Sequence, residues 1–439
     1  MNQESSIKIV NPDSAGIDIG ASSHFVAVPT GRDTETIKEF GCYTPDLEKM
    51  IAWLKKCRVK TIVMESTGSY WIRVFEMLEQ AGFEVRLVDA HHVRNVRGRK
   101  SDVIDCQWLQ QLHAHGLLSA AFRPENKIVE LRSYLRQRSS LIAAAATHVH
   151  RMQKALVEMN IHLHNAISDI TGITGIAIVK AIVAGETNPK NLAKLRDPRC
   201  KQPLEVIESS LKGNYREEHL FVLKQAIEAY DFYQRQIAEC EESIKKKLSS
   251  LTNIKEETSK PTRKKLRKYE YTFNVSTHLQ QLIGTDLTTV PGIDVSTALK
   301  LISEIGTNIS CWPTYKHFCA WLGLCPGTRI SGGRRLSSHT SHSTNKAATT
   351  LRMAASSLYR SQTALGAHLR RMKARMGPVE AITATAHKMA RAIYFMMLNK
   401  TNFIEAGADF YDKLNSEKTL KFLQKKAKSL GYVLEKANL

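Results

Sequence analysis

The chain lacks the features of several protein classes. Its eight cysteines form no C-x-x-C pair, which argues against a zinc site or a disulfide framework and predicts reduced, cytosolic thiols. The histidines recur as H-x-H, a spacing that turns the two rings apart on a helix. No stretch approaches about 18 uninterrupted apolar residues, so no membrane-spanning helix is predicted. The N-terminal residues MNQESSIKIV lack the basic-then-apolar order of a signal peptide.

Acidic residues are outnumbered by basic ones. The 439 residues include 63 Lys and Arg but only 42 Asp and Glu, which gives a formal net charge of +21. An excess of this size favours a polyanionic partner, above all nucleic acid. A membrane surface is the weaker alternative, because the charge is spread along the whole chain and neither terminus carries a basic amphipathic anchor. We therefore expect DNA or RNA as a partner and no membrane.

Residues 15–120 are predicted to form an α/β domain. The predicted strands are 15–20, 24–29, 34–40, 60–66 and 83–89; the predicted helices are 45–57, 70–81 and one that opens at Ser101. Three consecutive strands followed by alternating helix and strand favour an RNase H-like or RuvC-like mixed sheet over a doubly wound one.

The rest of the chain is predicted to be mainly helical. Apolar residues recur at helical spacing between 126 and 280, which fits either a long coiled coil or a compact bundle. The stretch SKPTRKKLRKYEY, with six Lys or Arg among thirteen residues, predicts a basic hinge at 259–271. The expected division is a RuvC-like domain (1–125), a helical connector (126–280), a mainly α C-terminal domain (281–402) and a basic helical tail (403–439).

The segment LTTVPGIDVSTALKLISEIG has the pattern of a helix-hairpin-helix. In such a motif a turn containing a glycine, here Gly292, presents backbone N–H groups to a phosphate. The segment ITGITGIAIVKAIVAGETN lies 120 residues earlier, and its residues 172–188 match residues 292–308 at six of 17 positions. We interpret these matches as a decayed duplication, with chance as the alternative.

Four acidic residues stand on elements that can converge. Asp18 interrupts the apolar strand GIDIG, and Glu65 ends the buried strand TIVME. Asp102 and Asp105 are three residues apart at the start of a helix, so they share one face. Such a set of oxygen donors suits two hard cations about 3.5–4 Å apart, the arrangement used in phosphoryl transfer. We predict a two-ion Mg²⁺ site, with Mn²⁺ able to substitute.

A second candidate centre is the glycine-rich stretch GLCPGTRISGGRR, which holds Ser331. Taken alone, it fits a phosphate-binding loop or, with its arginines neutralising charge, a loop carrying a nucleophile. The predicted nucleic-acid contacts are Arg94, Arg97, Arg99, Lys100, Arg263, Lys264, Lys265, Arg267, Gly292, Arg329, Arg334 and Arg335.

These motifs together resemble one family. GIDIG, ESTGSYW and GRKSDVIDCQWL are similar to the RuvC-like DEDD domain of transposases of the IS110 insertion-sequence family. VPGIDVSTALKLISEIG, FCAWLGLCPGTRISGGRRL and NKAATTLRMAA are similar to the C-terminal transposase domain of that family. The resemblance covers both ends of the chain, while the middle matches only as a helical connector.

The resemblance implies a DNA recombinase of a prokaryotic insertion sequence, cytoplasmic and associated with the nucleoid. Asp18, Glu65, Asp102 and Asp105 would be the metal-binding catalytic acids, and Ser331 the nucleophile that forms a covalent link to DNA. The partners it implies are element-end and target DNA, a non-coding guide RNA encoded by the element, and further copies of the chain in a homodimer or homotetramer. The carboxylates and the serine would form a composite active site, supplied by different domains or protomers.

The sequence departs from the family pattern after Ser331. The stretch SSHTSHSTN is richer in Ser, Thr and His than usual, and no glycine precedes the following helix, which leaves Ser337 and Ser338 as weaker nucleophile candidates.

Three other functions stay open. A Holliday-junction-type nuclease would hydrolyse DNA with water, and a nucleic-acid-binding protein with inactive acids would cleave nothing. An actin-like or sugar-kinase-like ATPase would need a second phosphate loop, and the only later echo, GIDVST, lacks a glycine after its acid.

Overall fold

A computed structural model describes residues 8–66, 68–88, 102–252, 268–337, 339–340, 345–407 and 409–435. The chain divides into two compact units, Met1–Arg123 and Pro124–Leu439. No helix within the described ranges has the length and apolar character needed to cross a membrane.

The first unit is built on a mixed five-stranded sheet. Its elements are β1 (Ser14–Ile19), β2 (Ser23–Ala27), β3 (Ile37–Gly41), α1 (Thr44–Lys56), β4 (Thr61–Glu65), α2 (Trp71–Gln80), β5 (Glu84–Val88) and α3 (Asp102–Ala114). The strand order is β3-β2-β1-β4-β5, with β1–β2 and β2–β3 antiparallel and β1–β4 and β4–β5 parallel. This confirms the mixed, RuvC-like sheet predicted from the sequence, with β1 at its centre.

The two faces of this sheet are covered by different helices. Ile17, Ile19 and Met64 pack into the main core with the apolar sides of α1 and α2. On the opposite face, Val63 and Leu109 belong to a small second core formed with α3. Because side chains alternate along a strand, residues one step from Ile17 and Met64 face α3.

The third strand begins later than predicted, at Ile37 instead of residue 34. The side chain of Asp33 accepts hydrogen bonds from the Thr34 backbone N–H at 2.7 Å and from the Trp53 indole at 2.8 Å. These bonds hold the preceding residues in a turn against α1, so ladder pairing starts only after them.

Two long helices of the second unit, one beginning near residue 126 and the other after four short helices, pack along each other. Its helices are α4 (Asn126–Glu158), α5 (Leu163–Ala166), α6 (Ile173–Val183), α7 (Pro189–Lys194), α8 (Leu204–Ser210), α9 (Glu217–Thr252), α10 (Val275–Ile283), α11 (Val295–Ile305), α12 (Tyr315–Trp321), α13 (Lys346–Ser357), α14 (Ala364–Met376), α15 (Pro378–Asn399) and α16 (Asp409–Ser429). One core joins α4 and α9 to the short helices between them. The helical character predicted here is confirmed, whereas a coiled coil and the finer domain boundaries stay predictions.

A buried ion pair joins the two long helices. Arg138 on α4 donates to the Glu241 carboxylate on α9, with Nε 2.8 Å from Oε1. Its guanidinium also donates to the Tyr269 carbonyl at 2.7 Å and lies 4.2 Å from the centre of the Tyr271 ring. Since a buried charge without a partner is strongly destabilising, this cluster fixes where the chain rejoins the long helices.

A second ion pair ties α4 to α11. Arg136 forms a two-pronged contact with Glu304, its Nη2 lying 2.8 Å from Oε2, and Arg132 approaches the same carboxylate at 3.8 Å. Because a forked guanidinium contact fixes orientation as well as distance, it sets the position of the helix that follows the V-P-G-I turn.

Candidate active site

The parallel pairing of β1 and β4 places two acidic residues side by side. Ile17 pairs with Met64 at the end of the register, and Asp18 and Glu65 are the next residues along the two strands. Adjacent strands are about 4.8 Å apart, so the backbones of the two residues lie at that spacing and their side chains project from the same face. This is the face that α3 covers.

A glycine allows α3 to lie directly on β1. A Cβ atom at Gly16 would overlap the Cys106 carbonyl oxygen and the backbone nitrogen of Gln110. The Gln110 side chain donates to the Ser14 hydroxyl at 3.1 Å, which fixes the sliding position of the helix. Backbone contact this close requires a residue without a side chain, and it brings the start of α3 beside Asp18.

The acidic pair of α3 lies at its N-terminal end, on the stripe that faces the sheet. Cys106 and Leu109 are buried on that stripe, and Asp105 is half-buried beside them. Asp102 opens the helix one turn earlier, and its side chain lies outside the described part of the structure. Spacings of three and four residues put all four positions on one side of the helix.

The pKa of the Cys106 thiol shows that two of these acids lie near it. Burial, with the negative charges of Asp18 and Asp105 acting in the same direction, raises the pKa of Cys106 to about 12. Both negative charges therefore act on one buried sulfur, although they belong to a strand and a helix more than 80 residues apart in the chain. Asp18 and Asp105 are therefore both near Cys106.

The donor set fits hard divalent cations. Asp18, Glu65 and Asp105 offer carboxylate oxygens, the ligands that Mg²⁺ and Mn²⁺ prefer. Among the side chains that the structure describes, which include Asp18, Glu65 and Asp105, no three His, Cys, Asp or Glu are gathered tightly enough to form a metal site. Asp102, the fourth predicted ligand, is not among those side chains, so the predicted tetrad is incomplete within the described set.

Beneath the acids, α3 ends on a buried histidine. His113 is only 1% exposed, and its Nε2 lies 2.9 Å from the Thr61 hydroxyl at the start of β4. Burial lowers the pKa of His113 to about 4, with the positive charge of Arg86 acting in the same direction and Glu84 opposing it. The imidazole is therefore neutral in the folded unit near pH 7.

We expect His113 to make the first unit less stable in acid. Its unfolded pKa is about 6.5, so above that pH both states are neutral and stability is complete. As the pH falls towards 4, the unfolded chain takes up a proton that the folded chain rejects, and the free energy of unfolding declines by up to about 1.4 kcal/mol per pH unit.

Hydrogen exchange of β1 and β4 peptides, corrected for intrinsic rates, should show this decline of stability with falling pH. It should flatten in His113→Gln and persist in His164→Gln, which replaces an exposed histidine; an unchanged slope in His113→Gln contradicts the assignment.

Ser331 stands at the tip of a β-hairpin, where the sequence suggested a glycine-rich loop. Strands β6 (Arg329–Ser331) and β7 (Arg334–Ser337) pair antiparallel, with Ser331 opposite Arg334. Gly332 and Gly333 form the two-residue turn with φ values of 53° and 73°. Positive φ at both positions is the geometry of a type I′ turn, which glycine adopts without strain. Directly opposed residues share a face, so the serine and an arginine project together.

The hairpin lies in a long stretch without acids, a signal that motif analysis missed. Residues 305–379 contain eleven Lys and Arg and no Asp or Glu. Arg371 and Arg375 are exposed or half-buried on α14, whereas Arg370 donates to the Ser361 carbonyl at 2.6 Å. Such a one-sided charge distribution attracts phosphates and leaves no carboxylate to repel them.

Gly292 occupies a tight turn before α11. Its φ is +87°, and a Cβ there would lie 2.7 Å from the Ala354 carbonyl oxygen on α13. Asp294 caps α11 by accepting from the Thr297 backbone N–H at 2.7 Å. The glycine is exposed and has a packing role, while its predicted contact with phosphate stays a prediction.

Several predicted site residues lie outside the described residues. They are Arg94, Arg97, Arg99, Lys100, Ser101, Arg263, Lys264, Lys265, Arg267 and Ser338, together with the side chain of Arg329. Arg334 and Arg335 are exposed on β7, and Ser337 is half-buried.

Comparison with known families agrees with both units. A family model for DEDD transposases of the IS110 type matches residues 15–161, which include all of the sheet except Ser14, together with α3. A second model, described as the transposase IS116/IS110/IS902 family, matches residues 284–370, which include α11, the Ser331 hairpin and α13. No curated protein matches the chain. The order of the two matches, the mixed sheet and the serine hairpin together show that the chain belongs to the IS110 family of transposases.

Proposed function

We propose that this transposase cleaves and rejoins DNA strands through a covalent serine–DNA intermediate. The carboxylates of Asp18, Glu65, Asp102 and Asp105 form one catalytic centre, and Ser331 is the nucleophile of the other. The observation that supports the first centre is the parallel pairing of Ile17 with Met64, because Asp18 and Glu65 follow that pair on the face covered by α3. The proposal for the second rests on the exposed serine between arginines.

The four carboxylates would hold two divalent cations, Mg²⁺ or Mn²⁺. When bound, the cations neutralise negative charge on the phosphate and on the oxygen that leaves it. The acids come from β1, β4 and α3, and the close contact at Gly16, which holds α3 on β1, supports this assignment. Precise placement of this kind accounts for much of the rate of phosphoryl-transfer enzymes.

Ser331 takes part in an exchange of esters. A bond forms between its Oγ and phosphorus, the bond from phosphorus to a DNA oxygen breaks, and the serine proton ends on the released DNA hydroxyl. Arg334, which projects from the same face, stabilises the charge on the phosphoryl oxygens. Attack on the phosphoserine by another DNA hydroxyl reverses the sequence. One phosphate ester replaces another at each step, so the reaction needs no external energy source.

The partners in this proposal are nucleic acids and further copies of the chain. DNA carries the reacting phosphates, and a guide RNA encoded by the element selects the sequences. The formal net charge of +21 suits a protein that binds both RNA and DNA. The active assembly is a homodimer or homotetramer.

A trapping experiment tests the proposal. Wild-type protein is mixed with a labelled duplex copied from the end of the element and with RNA transcribed from its flanking non-coding sequence. We expect a protein–DNA adduct that survives denaturation with Mg²⁺, disappears with EDTA and returns with Mn²⁺. Asp18→Asn should lower its yield at least about a hundredfold, because one metal-binding carboxylate is lost.

Two results would contradict parts of this proposal. Strand cleavage without any adduct would favour the water-using nuclease and exclude a serine intermediate. An adduct that forms equally well in EDTA would separate the serine chemistry from the carboxylates.

A further inference from the structure

The Ser331 hairpin carries two apolar side chains that the protein leaves in water. Ile330 is 67% exposed and Leu336 is 68% exposed. Every residue from 330 to 336 is exposed, so neither face of this ribbon is covered by the described part of the chain. A two-stranded ribbon without a packed face is marginally stable by itself, and exposed apolar pairs of this kind mark contact surfaces.

The positive charge around Ile330 and Leu336 indicates which kind of partner binds over these two side chains. Arg334 and Arg335 are exposed on the same ribbon, within the acid-free residues 305–379. A second copy of the chain would present the same eleven positive charges, so self-association through this ribbon is opposed by repulsion. Duplex DNA offers both complements, since its phosphates are anionic while its sugars and base faces are apolar.

The strand register of the hairpin places the proposed nucleophile and the apolar side chain of Ile330 on different faces of the ribbon. Ser331 pairs with Arg334 and Ile330 pairs with Arg335, so the serine and Ile330 lie on opposite faces. A register irregularity next to Ile330 leaves Leu336 outside the regular pairing. An irregularity of this type bends a ribbon and redirects a side chain. The ribbon can thus hold DNA with apolar groups while its serine faces a phosphate.

We propose that Ile330 and Leu336 are positioning residues that press against the sugars and bases beside the scissile linkage. They separate the adjoining base step and thereby hold the ribbon with Ser331 facing phosphorus. This inference rests on the proposed role of Ser331. Apolar wedges of Ile and Leu unstack DNA steps in other binding modes, so the chemistry suits these two residue types.

Fluorescence and adduct formation together test the pair. The probe is the element-end duplex with 2-aminopurine next to the scissile linkage, mixed with the flanking RNA and Mg²⁺. Ile330→Ser/Leu336→Ser should abolish the fluorescence rise that accompanies unstacking and slow adduct formation at saturating duplex at least about tenfold. Ile330→Val/Leu336→Met should stay within about twofold of wild type on both readouts, because it keeps apolar contact area.

Val379→Ser is the matched control, since Val379 is 70% exposed on α15, outside the ribbon. It should match wild type on both readouts. An unchanged adduct rate in the double serine variant overturns the inference. So does a smaller oligomer by light scattering with unstacking intact, since the pair would then cover a second copy.

The two readouts separate this inference from the proposed function. Wild-type protein that unstacks the step but forms no adduct supports the apolar contact and contradicts the serine chemistry. If wild-type protein forms the adduct without unstacking the base step, the proposed role of Ile330 and Leu336 is wrong and the proposed role of Ser331 stands.

Discussion

Ser331→Ala should abolish the protein–DNA adduct and leave binding of the element-end duplex within about threefold of wild type. In the proposed reaction the hydroxyl attacks phosphorus, and loss of a nucleophile of this kind costs at least about a thousandfold in rate. The hairpin should keep its shape, because the type I′ turn depends on Gly332 and Gly333 and the serine side chain is exposed. Denaturing gels for the adduct and fluorescence anisotropy for binding provide the two measurements.

Ser337→Ala is the matched control for this variant. Ser337 lies on the partner strand, opposite Arg329, and is half-buried where Ser331 is exposed. Its hydroxyl oxygen is 3.4 Å from the His339 backbone nitrogen, which gives it a local structural contact. Adduct formation should persist in Ser337→Ala. Loss there with retention in Ser331→Ala would move the nucleophile to β7.

Gly16→Ala should lower metal-dependent cleavage about a hundredfold and destabilise the first unit by about 1–3 kcal/mol. The added methyl group meets the backbone of α3 at Cys106 and Gln110, and backbone cannot rotate away as a side chain can. The helix must move off β1, which carries Asp105 away from Asp18. Displacement of a catalytic group by about 1 Å is enough for a hundredfold loss.

Gly82→Ala separates this effect from a general loss of stability. Gly82 lies after α2 with a φ of +92°, and a Cβ there meets nothing within 4 Å. Its cost is backbone strain alone, about 1 kcal/mol, with cleavage kept. Thermal melting and cleavage rates of both variants provide the comparison. Equal losses of cleavage would show that Gly16 acts through stability and not through the position of α3.

Much of the first unit follows from short-range patterns. Ile17, Asp18 and Ile19 alternate, so the apolar pair had to face a core and the acid had to face the other way. The position of α3 on that other face could not be predicted from such alternation. It depends on Gly16 meeting Cys106, 90 residues later, and a glycine in a strand looks the same whether or not a helix lies on it.

The hairpin was missed for a different reason. A Gly-Gly pair between short strands is a turn signal, but the apolar and basic residues around it show too little alternation to indicate pairing. Only the register, with Ser331 opposite Arg334, shows which residues share a face. The pairing of Arg138 with Glu241 is likewise hidden in the sequence, because each residue alone resembles a solvated helix charge.

The charged cluster on the long helices also bears on how the chain can vary in length. Glu241 and Arg138 anchor the backbone at Tyr269, and the Thr252 hydroxyl lies 2.7 Å from His278 Nδ1, so both ends of the basic segment 253–267 are tied to the helices. With fixed ends, doubling a connecting segment adds only about 0.6 kcal/mol of closure entropy. The segment could therefore gain or lose positively charged residues at little cost in stability, while the helices on both sides keep their contacts.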